Sequence, residues 1–459
     1  MLWQAVGKRT VPALAALALA WCAAPRALAQ ENDVEAIGQA GVVVDAQGVL
    51  HTHRFPDPGG QLTRERLQAA RQNLDPQVAR SSPLRKVSLN RLEAAVAANS
   101  GALTDEMRYL AGMLRVRFVF FYPETKDIVL AGPAEGWATM PSGRVVGITT
   151  GRPTLRLDDL VVALRAFPPD GEPTPAITCS IDPTPEGLAA MQQFLRRVSG
   201  YRPGQEPMIA EGLRTSLGLQ TVAISGVSPQ THFAQVLVEA DYRMKLIGIG
   251  LEQPPVRMAS FVDRVNPRQV RRNALMRWYF VPDYECVRMS DDGLAMELVG
   301  EGVKLVGEDE LVTAGGERVA AARRNPASEA FVNSFTQRYP ELAQRSPVFA
   351  QLRNAIDLAV VAAYIQQEDL YHRAEWPLEL FGDEGRFSVE TYTAPQYALP
   401  AVNALTRGNQ LMLPVGGGVR IEPALALIPD HILADQSEHL SRARQETAPQ
   451  LAEGQWWWD

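Results

Sequence analysis

The sequence predicts an α+β protein: a mixed sheet with packed helices, a helical segment, and a short β-containing C-terminal part. Three observations lead there. β-rich runs flank turn-forming clusters at two places in the first third of the chain, which is hairpin patterning. Strand-like runs then alternate with helical stripes opened by Thr-Pro or Ser-Pro. From Asn325 a long apolar stripe recurs at helical spacing.

The first hairpin is Gly41 to Thr52, GVVVDAQGVLHT, with its turn at Asp45-Ala46-Gln47-Gly48. A polar, arginine-rich stretch with one or two helices runs on to about Asn99. In the second hairpin, Arg115 to Phe121 and Ile128 to Ala131 flank Pro123-Glu124-Thr125-Lys126. Leu157, Leu160, Val161 and Leu164 then share one helical face. Ala176 to Ile181 reads as a strand, followed by Thr184 as N-cap and Pro185 at the first helical position. The pattern repeats with a strand at Gln220 to Ser225 and a helix opened by Ser228-Pro229.

That helix carries LVEADYRMKLIGIG, with Glu239, Asp241, Arg243 and Lys245 set two apart in an apolar run. Phe233, Val236, Leu237, Ala240, Met244 and Ile247 fall on one stripe, which favours a helix over a strand. Each acid then stands four residues before a base, the stabilising orientation for a solvated pair. The expectation is therefore surface charge, with Gly248 and Gly250 ending the helix and IGIG passing into a short strand. Arg277 to Leu305 is β-rich, with Asp291-Asp292-Gly293 as a hairpin turn. Ser346-Pro347 divides two helices within Asn325 to Ile365. Gln410 to Ile421 is expected to close as a hairpin around Gly416-Gly417-Gly418. On this reading the chain divides into residues 1–29, 30–103, 104–325, 326–380 and 381–459.

Residues 1–29 read as a secretory signal peptide: Lys8 and Arg9, an apolar stretch from Val11 to Ala24, and a small-residue site at Ala27-Leu28-Ala29. The expected location is periplasmic or secreted. Cleavage there takes three positive charges from a chain already at net −7, so the sequence argues against nucleic acid and against an anionic membrane surface. No later run of 18 apolar residues occurs; Asp357 interrupts the longest, Ala355 to Ile365. Export would place Cys179 and Cys286 where they can pair, the alternative being two buried thiols.

Motifs for a nucleophile elbow, a zincin, a phosphate loop and paired metal-binding cysteines are lacking, and no cofactor is expected. His51 and His53 fall on one strand face and are metal candidates, the alternative being an exposed hairpin edge. His431, Asp435 and His439 would align on a helix, though a solvated face accounts for them as well. Asp357, four residues after Arg353, reads as half of a surface pair. Glu135 beside Trp137, with Asp158 and Asp159 following, is the one constellation resembling an acid-plus-aromatic carbohydrate site, and turn and capping chemistry explains the same residues. Trp456, Trp457 and Trp458 can either anchor a partner or fold back onto the body.

The phrases LAGPAEGW, TGRPTLRLDDLVVALR, CSIDPTPEGL, VLVEADYRMKLIGIGLE, DGLAMELVGEGVK and QLRNAIDLAVVAA together resemble an uncharacterised family of exported bacterial proteins, mainly planctomycete-type, labelled as a domain of unknown function. The resemblance covers about Gly41 to Ile421. It implies export and one continuous, multi-part fold, and no reaction or catalytic residues. The functional expectation is a non-catalytic exported protein that binds or helps assemble an envelope protein. The alternative is a carboxylate-dependent hydrolase acting on polysaccharide or peptide.

Overall fold

The structure, a computed structural model, describes residues 40–198, 204–266, 273–403 and 415–459. The expected signal peptide at residues 1–29 lies outside them, as does the 410–414 part of the expected C-terminal hairpin. The fold is α+β, as predicted, with mixed sheets and packed helices.

The strands are, in chain order, β1 (Ala40–Val44), β2 (Val49–Arg54), β3 (Ser82–Ser88), β4 (Phe118–Tyr122), β5 (Asp127–Ala134), β6 (Trp137–Thr139), β7 (Val145–Gly147), β8 (Ile177–Asp182) and β9 (Gln220–Ser225). They continue as β10 (Ala274–Pro282), β11 (Val287–Met289), β12 (Ala295–Leu298), β13 (Val303–Val312), β14 (Arg318–Ala320), β15 (Tyr397–Ala398), β16 (Val415–Ile421), β17 (Leu433–Ala434) and β18 (Trp457–Trp458). Among the described residues the larger sheet has the order β1-β2-β15-β9-β8-β16-β10-β13-β14, and a second runs β17-β11-β12-β4-β5-β3-β18. Strands far apart in sequence therefore lie side by side.

Local chemistry sets the helices that matter here. The helix α1 (Leu157–Ala166) begins with Asp158 and Asp159 in its first turn, where acids complement the helix dipole. Thr184 caps α2 (Pro185–Arg197) through the Gly187 N–H, as its sequence suggests. The cap of α3 (His232–Gly248) is Thr231, accepting from the Ala234 N–H at 3.2 Å. The Ser228-Pro229 step instead forms the preceding turn, where the Thr231 hydroxyl donates to the Ser228 carbonyl at 2.8 Å. At the other end, Gly250 adopts φ +73° and the Leu251 N–H reaches back to the Leu246 carbonyl. That is a Schellman ending, so the expected IGIG strand does not form.

Two long helices, α4 (Pro326–Arg345) and α5 (Pro347–Gln367), pack against each other, and α5 also packs on α1 and α3. By length and composition α5 is apolar enough to cross a membrane, but here it is wholly buried in the fold. Asp357 on it is buried, not superficial as expected. Its partner is Arg115 at 2.7 Å, while Arg353 turns to Glu301 at 2.7 Å. Burial, opposed by Arg115, raises the Asp357 carboxyl. The apolar stripe on α5 is too wide to leave an exposed face, and the carboxylate is matched from another part of the chain.

The glycine triplet is not a turn. Gly416, Gly417 and Gly418 lie within β16, just after its first residue, and that strand runs parallel to β10 and antiparallel to β8. Gly417 has φ +132°, and a Cβ there would sit 1.8 Å from the Trp278 carbonyl oxygen. No side chain fits between the neighbouring backbones, which is why the strand is spelled in glycine.

The cysteines do not pair. Cys179 lies on β8 in the larger sheet, Cys286 beside β11 in the second, and both are free and buried. Burial raises both thiols, that of Cys286 to about 12. The tryptophan tail folds back: β18 pairs with β3, Arg85 stacks over Trp457, and Arg85 holds the Asp459 carboxylate through two 2.9 Å bonds.

In urea unfolding, Gly417→Ala should cost about 3 kcal/mol or more, while Gly59→Ala, where the Cβ meets nothing, should cost about 1. In oxidising buffer both Cys179 and Cys286 should resist alkylation until unfolding and then react fully, as read by mass spectrometry; a pair that never reacts would contradict the structure.

Candidate functional site

The helix α3 brings chemistry together. All four charges of the EADYRMK phrase are buried, where surface charge was expected: Asp241 and Lys245 completely, Glu239 and Arg243 at 6% and 9% exposure. The predicted i,i+4 pairs do form, Asp241 to Lys245 at 2.8 Å and Glu239 to Arg243 at 3.6 Å. The error was in their surroundings. Arg243 also grips Glu252 at 2.6 Å, and Glu239 is shared with Arg144 from the turn between β6 and β7.

That sharing forms one wall of a cavity of about 300 Å³. Arg144, Arg156, His232, Glu239, Glu390 and Tyr392 line it, with Gln351 from α5 and Gln235 from α3. His232 stands in the first turn of α3, and its Nδ1 faces the Asp159 carboxylate at 2.8 Å. The Nε2 of His232 lies 3.3 Å from the Gln351 side-chain amide, which also accepts from Arg144. Arg156 donates to Tyr392 at 2.9 Å, to Asp158 at 3.4 Å and to Glu390, and the Tyr392 ring lies 6.0 Å from that of His232.

The surroundings push two of these carboxyls apart. Burial raises Asp158, and the Arg156 guanidinium only partly offsets it. Burial acts the same way on Glu390, but there Arg156 and hydrogen bonds from Tyr392 and Arg156 win and leave it below its usual range. Arg156 itself is held above the usual arginine value: burial opposes its charge, and Asp159, Tyr392 and Asp158 overcome that.

The acid-plus-aromatic constellation is divided by the fold. Glu135 is 2% exposed and accepts from the Thr150 N–H and hydroxyl at 2.9 and 2.7 Å. Trp137 is buried edge-on against Tyr109. Asp158 and Asp159 sit at the start of α1, bound to Arg156 and His232. Glu135 therefore braces a loop, while the two aspartates belong behind the cavity wall.

The histidine candidates also separate. His51 bonds Asp45 at 2.9 Å and His53 packs edge-on against Phe55. His431 stacks on Tyr284, whereas Asp435 bonds His439 at 2.7 Å at the start of a later helix, His439–Glu446. Among the described residues no group of three or more candidate ligands forms.

Sequence reasoning missed His232, Arg144, Arg156 and Glu390. For His232 a signal existed: a histidine directly after a capping threonine. For the arginines nothing in the local pattern marks them.

Because Glu239 pairs with Arg144 in this wall and with Arg243 on its own helix, Glu239→Gln should destabilise the fold by about 2–4 kcal/mol. Glu390→Gln, at a half-exposed side chain, should cost less than about 1 kcal/mol in the same denaturation experiment.

Residues 179–261 match a family described as a protein of unknown function, DUF1598. The match runs from β8 through α2, β9 and the whole of α3 to Phe261. No match was found among curated proteins or among solved structures. A DUF1598 domain thus supplies His232, Gln235 and Glu239 of the cavity wall, and segments outside it supply the rest.

Proposed function

We propose that the protein is an exported, non-catalytic binding protein of the cell envelope, and that the α3 cavity is where it grips a protein partner. The observation that carries this reading is the prior pairing of the wall. Glu239 holds Arg144, Glu390 holds Arg156, and Asp159 holds His232. Such groups are preorganised to present hydrogen bonds, and reordering them would cost more than the small free energy an exposed pair supplies. Two guanidiniums and two carboxylates in one lining suit a group that both donates and accepts, such as an amide side chain of the partner. Export rests on the leader-like residues 1–29, and the acidic net charge speaks against nucleic acid or membrane as the partner.

The hydrolase reading draws on one observation. The His232–Asp159 couple and the separated acidities of Asp158 and Glu390 are the raw materials of acid–base catalysis. Against it, both carboxyls are tied to Arg156.

A crosslinking pull-down of the tagged protein from native envelopes should recover one stoichiometric protein. Gln235→Trp, which fills the cavity, should lose it. Equal recovery by the variant, or no partner above background, contradicts the binding reading. Turnover of a glycan or peptide that vanishes in Glu390→Gln would establish the hydrolase instead.

A further inference from the structure

A second cavity, of about 370 Å³, has a charge balance opposite to that of the chain. Arg115, Arg117, Arg152 and Arg353 line it, against only Glu297 and Glu301. These acids are already committed. Glu301 serves Arg353 at 2.7 Å and lies 3.9 Å from Arg115, while Glu297 is divided among Arg117, Arg288 and His439. Asp357, behind the wall, is committed to Arg115. That leaves Arg152 without an ion pair among the described residues; its one hydrogen bond from the side chain is a long 3.5 Å contact to Thr150. Arg353 is 5% exposed, and its Nε has no hydrogen-bond partner.

Four guanidiniums thus gather against three acids, Glu297, Glu301 and Asp357, and an excess of like charge is unfavourable unless something neutralises it. The cost shows at Arg152, which burial and the neighbouring guanidinium of Arg353 hold below the usual arginine value despite the pull of Glu135 and Glu301. In a chain of net charge −7, this is a local reversal of sign. Each guanidinium carries its donors in a rigid planar fork, which matches the oxygens of a carboxylate or phosphate. Gln344 and Pro340 of α4 close another side, and Gln344 brings an amide donor.

We propose that this cavity is an oxyanion-binding site, with Arg152 as the uncommitted cation that meets the ligand and Arg115, Arg117 and Arg353 as its supporting charge. The ligand class is a small oxyanion: phosphate, a phosphomonoester, or a carboxylate. The site is separate from the α3 cavity, with which it shares no lining residue.

The test is calorimetric titration of the full chain with inorganic phosphate, glycerol phosphate and acetate at constant ionic strength. At least one should bind with one-to-one stoichiometry, and the order of the three tells free oxyanion from organic phosphate and from carboxylate. Arg152→Gln should weaken that binding by about tenfold or more, the loss expected for one charge-assisted hydrogen bond. Its melting without anion should match the parent, since Arg152 makes no ion pair to lose. Gln235→Trp, in the other cavity, should bind as the parent does. The proposal is overturned if the parent binds none of the three, or if Arg152→Gln binds as tightly as the parent.

Discussion

The ammonium of Lys245 fixes the relation between the helix α3 and the larger sheet. It is fully buried and uses three donors: the Asp241 carboxylate at 2.8 Å, the Ile181 carbonyl of β8 at 2.8 Å and the Gly417 carbonyl of β16 at 3.2 Å. An ammonium has three donors, so its capacity is complete. Burial pushes the Asp241 carboxyl up to about 6, against the pull of Lys245. With one flank of α3 clamped this way, its other charged positions are held where the cavity needs them. Glu239 faces Arg144, and His232 faces Asp159.

Much of the fold is legible in the sequence because it is set locally. Asp45, Thr184 and the Asp291-Asp292-Gly293 turn act within a few residues, and the structure uses them as their chemistry dictates. What was not legible is depth. Four-residue spacing of opposite charges stabilises a helix in water and also neutralises charges inside a core, so the pattern at Glu239 to Lys245 cannot distinguish the two. Asp357 misleads for the same reason: its real partner, Arg115, lies 242 residues away. The glycines of β16 fail differently. Turn chemistry and close backbone approach both select glycine, and only the Trp278 carbonyl beside Gly417 decides between them.

The candidate site was legible only in fragments. Asp158 and Asp159 were singled out, and they do stand behind the cavity, but Glu135 and Trp137 belong to a different loop. Arg144, Arg156, Glu390 and Gln351 reach the cavity from four segments, and no sequence period connects them. Three of the phrases quoted from the sequence reach the place: EADYRMK through Glu239, within the DUF1598 match, TGRPTLRLDDLVVALR through Arg156, and QLRNAIDLAVVAA through Gln351. EADYRMK carries the charges that were misjudged. Its charges look like solubilising surface in sequence and serve as wall and anchor in the fold.

The most direct measurement of this account is a double-mutant cycle on Asp241 and Lys245, with Asp241→Leu, Lys245→Met and the combined variant compared by denaturant unfolding. A clamp predicts that each single change costs about 3–5 kcal/mol and that the combined variant loses clearly less than their sum, because neither charge is then left buried alone. Single changes each below about 1 kcal/mol, adding without interaction, would mean that the pair does not hold α3 to the sheet.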